Sequence, residues 1–102
     1  RTNIRFAVET NYKYPLSLKE FAVLSGRSIS SFKRDFYSEF GKTPSQWLKE
    51  KRLAAAKEFL ISSNRSVTDA CFDSGFENVS HFSRLFKEHT GYSPSEYKKK
   101  FS

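Results

Sequence analysis

The sequence has few of the residues that build disulfides and metal centres, and none of the segments that span membranes. It contains no methionine, one cysteine (Cys71) and two histidines. One cysteine cannot form an internal disulfide, and with two scattered histidines it makes no metal-binding pattern. No apolar run approaches the roughly 18 residues that cross a bilayer, and no signal-peptide pattern is present. We therefore expect a soluble, cytoplasmic domain without metal or cofactor, cut from a longer protein because no initiator methionine begins it.

Glycine and proline are also scarce, and they punctuate predicted helices. Ser17–Glu20 and Ser93–Glu96 have the Ser-x-x-Glu form of a capping box. Each of the four glycines falls where a helix should stop: Gly26, Gly41, Gly75 and Gly91. No alternating stretch indicates a strand. The sequence predicts an all-α protein of seven helices, at about 2–12, 18–25, 29–40, 44–62, 67–74, 79–90 and 94–101.

Charge and aromatic content narrow the class of partner. The chain has 18 basic and 11 acidic residues, a net charge of +7 and a pI near 9.7. This excess of positive charge favours nucleic acid or an anionic membrane surface. Seventeen aromatic residues, 11 Phe, 5 Tyr and 1 Trp, suit the core of a small domain. The alternative, stacking on single-stranded bases, expects exposed aromatics on strands, whereas these recur at helical spacing. The apolar faces are needed for the core, so we expect no membrane association.

An internal repeat with an offset of 50 residues organises the chain. The first copy contains Ser30, Phe32, Arg34, Phe36, Gly41, Pro44 and Ser45, which recur as Ser80, Phe82, Arg84, Phe86, Gly91, Pro94 and Ser95. Each copy predicts a short helix, a tight turn near glycine and a longer helix. That arrangement is a helix-turn-helix. We predict two such units, at 1–43 and 64–102, joined by a linker helix at 44–63.

The second helix of each unit has an apolar and a polar face when plotted with 3.6 residues per turn. The apolar faces, predicted to be core, carry Ile29, Phe32, Phe36 and Phe40, and Val79, Phe82, Leu85 and Phe86. The opposite faces carry Ser30, Ser31, Lys33, Arg34, Tyr37 and Ser38, and Ser80, His81, Ser83, Arg84 and Lys87. Short hydroxyls beside long cations suit a helix in a major groove, because arginine binds guanine with two hydrogen bonds and serine bonds bases or phosphates. The alternative interpretation is an ordinary solvent-exposed helix face. The presence of two matched faces in repeated units argues against that interpretation.

The linker helix sets the predicted spacing of the two units. Nineteen residues from Pro44 to Ser62 give roughly 28 Å of helix, close to the spacing of roughly 34 Å between successive major grooves on one face of DNA. One chain could therefore place both units in adjacent grooves without dimerising. A single apolar stripe is expected to pack against both halves, formed by Leu48, Ala55, Ala56, Phe59 and Leu60.

The segment from Asp73 to Lys87, followed by Thr90 to Tyr97, resembles the C-terminal signature of the AraC/XylS family of bacterial transcription regulators. Arg52–Lys57 resembles the middle of that family's linker helix. The resemblance covers the chain after about residue 17 and implies seven helices in two helix-turn-helix units. It also implies binding to an asymmetric, bipartite site of double-stranded DNA, contact with RNA polymerase, and a separate sensory or dimerisation domain.

By position, the resemblance assigns base contacts to Ser30, Lys33, Arg34, Val79, Ser80, Ser83 and Arg84. Val79 cannot hydrogen-bond a base, so it either contacts a thymine methyl or belongs to the core, and Arg84 contacts either a base or a phosphate. Where this family usually has alanine, the chain has Cys71, a small apolar replacement. Other DNA contacts, mainly to phosphate, are expected from Ser28, Ser31, Tyr37, Lys42, Lys51, Asn78, His81 and Lys87.

Two further residue types bear on the choice of function. Arg52 lies in the apolar stripe of the linker helix, and we expect it to pair with Asp69 or Glu20 and to help dock that helix. His81 and His89 have no serine, cysteine or carboxylate partner at a catalytic spacing, so no enzyme activity is expected. His89 is instead expected to interact with the dipole at its helix C-terminus. The alternative to DNA binding is a degenerate helix-turn-helix module used for protein interaction.

Overall fold

The computed structural model describes residues 3–102. Within this range the regular structure is entirely helical, as predicted. The helices are α1 (Ile4–Glu9), α2 (Leu18–Leu24), α3 (Ile29–Phe40), α4 (Pro44–Ile61), α5 (Val67–Asp73), α6 (Val79–Thr90) and α7 (Pro94–Phe101). In the part of the chain described, no helix has the length and apolar character to cross a membrane, and no three metal-binding side chains come together.

Capping side chains explain why most helix boundaries lie close to those predicted from the sequence. The Ser17 hydroxyl accepts the backbone N–H of Glu20, and the Glu20 carboxylate accepts that of Ser17. Ser93 and Glu96 repeat this capping box at α7. Hydrogen bonds from the backbone and hydroxyl of the capping serine lower the pKa of each glutamate.

The first helix is the element that the sequence predicted least well. It ends at Glu9 instead of residue 12, and its predicted start at residue 2 lies outside the described residues. The Thr10 hydroxyl donates to the Phe6 carbonyl and the Asn11 amide to that of Ala7. These side chains cap the last turn, and the chain then turns through residues 10–14 instead of continuing the helix.

Two aromatic cores are built on the two ends of α4. The first surrounds Phe21, Phe32 and Phe36, and the second surrounds Phe82 and Phe86, all of which are fully buried. The molecule is correspondingly elongated, 44 × 20 × 20 Å. The aromatic residues therefore supply core area, as predicted, although Ile29 is 42% exposed. Its assignment to the core was wrong because the first turn of α3 extends beyond the cluster.

The predicted apolar stripe of α4 packs against both halves, through Leu48 in the first core and Ala56 and Leu60 in the second, but the buried surface of α4 is wider than that stripe. Trp47 and Leu48 pack into the first core. The second core receives Leu53, Ala56 and Leu60. At 100° per residue, these two sets lie about 160° apart around the helix. The linker helix is thus held between two units on nearly opposite sides, which fixes their separation and their relative rotation.

Arg52 fixes the segment between α1 and α2 onto α4, and it does so through the backbone. Its Nε donates to the Tyr12 carbonyl at 2.7 Å and its Nη2 to the Tyr14 carbonyl at 2.8 Å. The predicted pairing of Arg52 with Asp69 or Glu20 was wrong, because its guanidinium donates to these two backbone carbonyls instead of to a carboxylate. Burial lowers the pKa of Arg52, and the charge of Glu77 partly offsets that effect. Since Glu77 precedes α6, Arg52 lies where the first and second units meet.

The lone thiol is packed into the second core and should be chemically inert. Cys71 is fully buried, and burial raises its pKa from 9.0 to about 11. That rise lowers the thiolate fraction at neutral pH about a hundredfold. We expect a thiol-reactive dye to label the native protein at least that much more slowly than the protein in denaturant. Rapid labelling of the native protein would contradict this packing.

Candidate nucleic-acid interface

Each unit places its longer helix after a tight turn that begins with a buried serine. The Ser25 hydroxyl donates to the Ala22 carbonyl, and the Ser74 hydroxyl donates to that of Ala70. These bonds satisfy two polar groups that are buried in equivalent turns. The next helix then begins at a capped residue in both units: Ser28 accepts the N–H of Ser31, and Asn78 accepts that of His81. The repeat in the sequence is therefore a repeat in structure.

The exposed face of α3 carries the predicted contact residues of the first unit. Ser30, Lys33, Arg34 and Tyr37 are exposed, and Ser31 is half-buried. The four exposed residues occupy an arc of about 100°. The Arg34 side chain is 69% exposed, with Nε 3.5 Å from an Asp35 carboxylate oxygen and Nη2 3.4 Å from the Ser31 hydroxyl.

The exposed face of α6 is the counterpart in the second unit. Ser80, His81, Arg84 and Lys87 are exposed and Ser83 is half-buried. Arg84 Nη2 lies 3.0 Å from Nδ1 of His81. Val79 is half-buried and packs against the second core, which favours the structural alternative for that residue.

A cleft of about 540 Å³ lies between the units and reaches the exposed face of α6. The first unit contributes Ser17, α4 contributes Ser45 and Lys49, and the second unit contributes Asn78 and His81. Ser45 also lines a neighbouring hollow of about 310 Å³, together with Lys33 and Tyr37 of α3. Ser45 therefore lines both the hollow beside the exposed face of α3 and the cleft that reaches α6.

Known proteins resemble this chain in sequence and in structure. A family model described as a helix-turn-helix domain matches residues 21–100. The structure superposes on an AraC-type transcriptional regulator from Chromobacterium violaceum with a TM-score of 0.77 and 27% identity, over 97% of this chain and 88% of that one. The chain belongs to the AraC/XylS family.

Other members of the AraC/XylS family resemble the chain over nearly its full length. The transcriptional activator NphR of Rhodococcus is 36% identical over 99 residues, 96% of this chain and 29% of NphR. The DNA-binding domain of AdpA, solved in complex with a target DNA, shares the fold with a TM-score of 0.89 at 24% identity, over 99% of this chain and 94% of that one. The chain spans about a third of the length of the curated relatives it matches.

The lysines expected to contact phosphate differ in how available they are on this AraC/XylS domain. Lys87 is exposed. Lys42 forms an ion pair with Glu50 at 2.6 Å, which lowers the pKa of that carboxyl. Lys51 lies over the rings of Tyr12 and Trp47, at 5.3 and 5.7 Å. The ammonium groups of Lys42 and Lys51 therefore already interact with other side chains of the protein.

Lys49 is a candidate that sequence reasoning missed. It is exposed and lines the cleft between the units, whereas Lys51 lies about 160° away around α4. A helical plot contains the signal that identifies it, because Ser45, Lys49 and Arg52 fall on one face at spacings of four and three.

These positions predict different results for two otherwise similar lysines. We expect Lys49→Ala to weaken binding to specific and scrambled duplexes alike, by about threefold, and to reduce the slope of log affinity against log salt by about one. Lys51→Ala is the matched control and should have a smaller effect on both quantities. Titration of the two variants at two salt concentrations compares them. A larger loss for Lys51→Ala would contradict the choice of Lys49 over Lys51 as a candidate phosphate contact.

Proposed function

We propose that this chain binds a specific, bipartite site in double-stranded DNA, with α3 and α6 in successive major grooves. The observation that carries the proposal is the pair of matched basic faces on α3 and α6, each beside a hollow that Ser45 lines. The 18 residues of α4 span about 27 Å, close to the roughly 34 Å between grooves on one face of the duplex. Packing of α4 into both cores keeps this spacing rigid.

Affinity and specificity would come from different residues. Lysine and arginine contacts to phosphate release counterions, which makes affinity depend on salt but carries no sequence information. Arg34 and Arg84, together with Ser30, Lys33, Ser80 and Ser83, would contact base edges. Arginine is suited to this role because its guanidinium forms two hydrogen bonds with guanine.

The biological role we propose is regulation of transcription. Two relatives support that role: NphR, named a transcriptional activator, and ExsA of Pseudomonas aeruginosa, named a transcriptional regulator. The AdpA complex with target DNA supports duplex DNA as the ligand. Because the chain matches only about a third of those relatives' length, a sensory or dimerisation domain and a contact with RNA polymerase also belong to the proposal.

Selection from a random duplex pool tests the proposed function. We expect enrichment of one asymmetric motif with two half-sites about one helical turn apart. The Arg34→Ala/Arg84→Ala double variant, selected in parallel, should enrich no such motif, although it still binds DNA. Salt-sensitive binding to every duplex without enrichment by the unaltered chain would contradict specific recognition.

A further inference from the structure

The equivalent arginines of α3 and α6, the two recognition helices of the proposed function, contact different chemical groups. Arg34 lies beside the Asp35 carboxylate and the Ser31 hydroxyl. At the corresponding positions of the second unit, 50 residues later, Asp35 is replaced by Leu85 and Ser31 by His81. Within residues 3–102, Arg84 has no carboxylate within the 4.0 Å of an ion pair, and its Nη2 lies 3.0 Å from Nδ1 of His81.

This contact requires one protonation state of the histidine. A guanidinium has only donors, so Nδ1 of His81 must be the acceptor, with the ring proton on Nε2. A second proton on the ring occupies Nδ1, removes the acceptor and places two positive charges side by side. The backbone of His81 is fixed independently, because its N–H donates to Asn78 at 2.8 Å. Protonation therefore changes the support of Arg84 without removing the helix cap.

We propose that His81 is a positioning residue that makes base recognition by the second unit depend on pH. Neutral His81 holds the guanidinium of Arg84 in place above α6. Protonated His81 releases it and adds a positive charge that can contact phosphate. Histidine is the side chain that ordinarily changes charge between pH 5 and 8. This inference rests on the proposed function, and it assigns the pH dependence to one half-site only, because the groups beside Arg34 are the Asp35 carboxylate and the Ser31 hydroxyl and neither is a histidine.

The cleft beside His81 contains charged groups of both signs. Across the cleft, α4 presents Lys49 and Arg52, and the turn before α6 presents Glu77. Glu77 interacts electrostatically with Arg52. On the side of α2 the cleft wall is uncharged, formed by Ser17 and Leu18.

Two opposite effects on DNA binding follow. As pH falls from about 8 to about 5.5, preference for the second half-site should fall about fivefold, because Arg84 loses its support. Binding to scrambled DNA should become slightly stronger over the same range, because His81 adds one charge. A general loss of fold or of affinity would lower the half-site preference and the affinity for scrambled DNA together. A fall in the preference with a rise in the affinity for scrambled DNA therefore identifies the positioning role.

The test uses the full chain and four duplexes: the selected site, that site altered in either half-site, and a scrambled sequence. Loss of discrimination in Arg84→Ala shows which half-site belongs to the second unit. Affinities are measured at about pH 8 and about pH 5.5 at constant ionic strength. The variants are His81→Gln, which keeps a neutral acceptor at both pH values, and His89→Gln, the matched control at the other histidine.

We expect the unaltered chain and His89→Gln to lose preference for the second half-site at low pH, while preference for the first half-site stays constant. His81→Gln should show the same preference at both pH values. A constant preference in the unaltered chain, or a pH dependence that persists in His81→Gln, would overturn this inference alone. The absence of any half-site preference at pH 8 would overturn the proposed function and this inference with it.

Discussion

Replacing Gly75 by alanine should destabilise the domain by about 3 kcal/mol, whereas the same change at Gly91 should cost about 1 kcal/mol. A Cβ on Gly75 would lie 2.7 Å from Nε of Arg52 and 2.8 Å from the Tyr12 carbonyl oxygen. Those two atoms form the hydrogen bond that fixes the segment after α1 to α4. The added methyl group must therefore displace Arg52 or the Tyr12 carbonyl and disturb that hydrogen bond.

Gly91 is the matched control because an alanine there also has an unfavourable positive φ, but its Cβ meets no neighbouring atom. Its φ is +84°, and nothing lies within 4 Å of a Cβ built there; Gly75 has a φ of +108°. Both alanines adopt a positive φ, so the difference between their costs isolates the steric part. Urea unfolding of the two variants measures that difference. Equal losses of unfolding free energy would contradict the close approach of Gly75 to Arg52.

Removing either recognition arginine should reduce affinity for the selected site by about 10- to 100-fold, corresponding to about 1–3 kcal/mol. Arg34→Ala and Arg84→Ala remove the guanidinium groups that lie on the exposed faces of α3 and α6. Binding to scrambled DNA should weaken by only about threefold, because each change removes one positive charge. The loss of discrimination should appear in the half-site of the altered unit.

Lys87→Ala provides the comparison for these two variants. Lys87 is exposed on the same face of α6 as Arg84, and as a phosphate contact it should affect both duplexes equally. Titrations on the selected and scrambled duplexes distinguish the two roles. Equal losses on both duplexes for Arg84→Ala would assign Arg84 to phosphate and exclude base contact by that residue.

Most of the fold could be predicted because its signals are local. Capping boxes such as Ser17–Glu20 lie within one turn of the helix they begin, and the phenylalanines of α3 and α6 recur at helical spacing. The partner of Arg52 could not be predicted in this way. Its acceptors are backbone carbonyls of Tyr12 and Tyr14, which carry no side-chain pattern and are brought close only by the tertiary fold.

The apolar pattern of α4 shows a second limit. A helical plot assigns one face to one core, but α4 contacts two cores on nearly opposite faces. The exposed residues of α3 and α6 were easier to identify because the repeat presents them twice. The contact between His81 and Arg84 has the three-residue spacing that a plot can reveal, whereas the cleft that contains Lys49 depends on how the two units meet.

The central claim, that α4 rigidly fixes two recognition helices one groove apart, is tested by inserting DNA between the selected half-sites. An insertion of about five base pairs turns the half-sites onto opposite faces, and about ten place them two turns apart. A helix of about 27 Å cannot span either arrangement. We predict that both insertions reduce binding by the unaltered chain to that of a single half-site. Full affinity for either inserted site would contradict a rigid connection between the units.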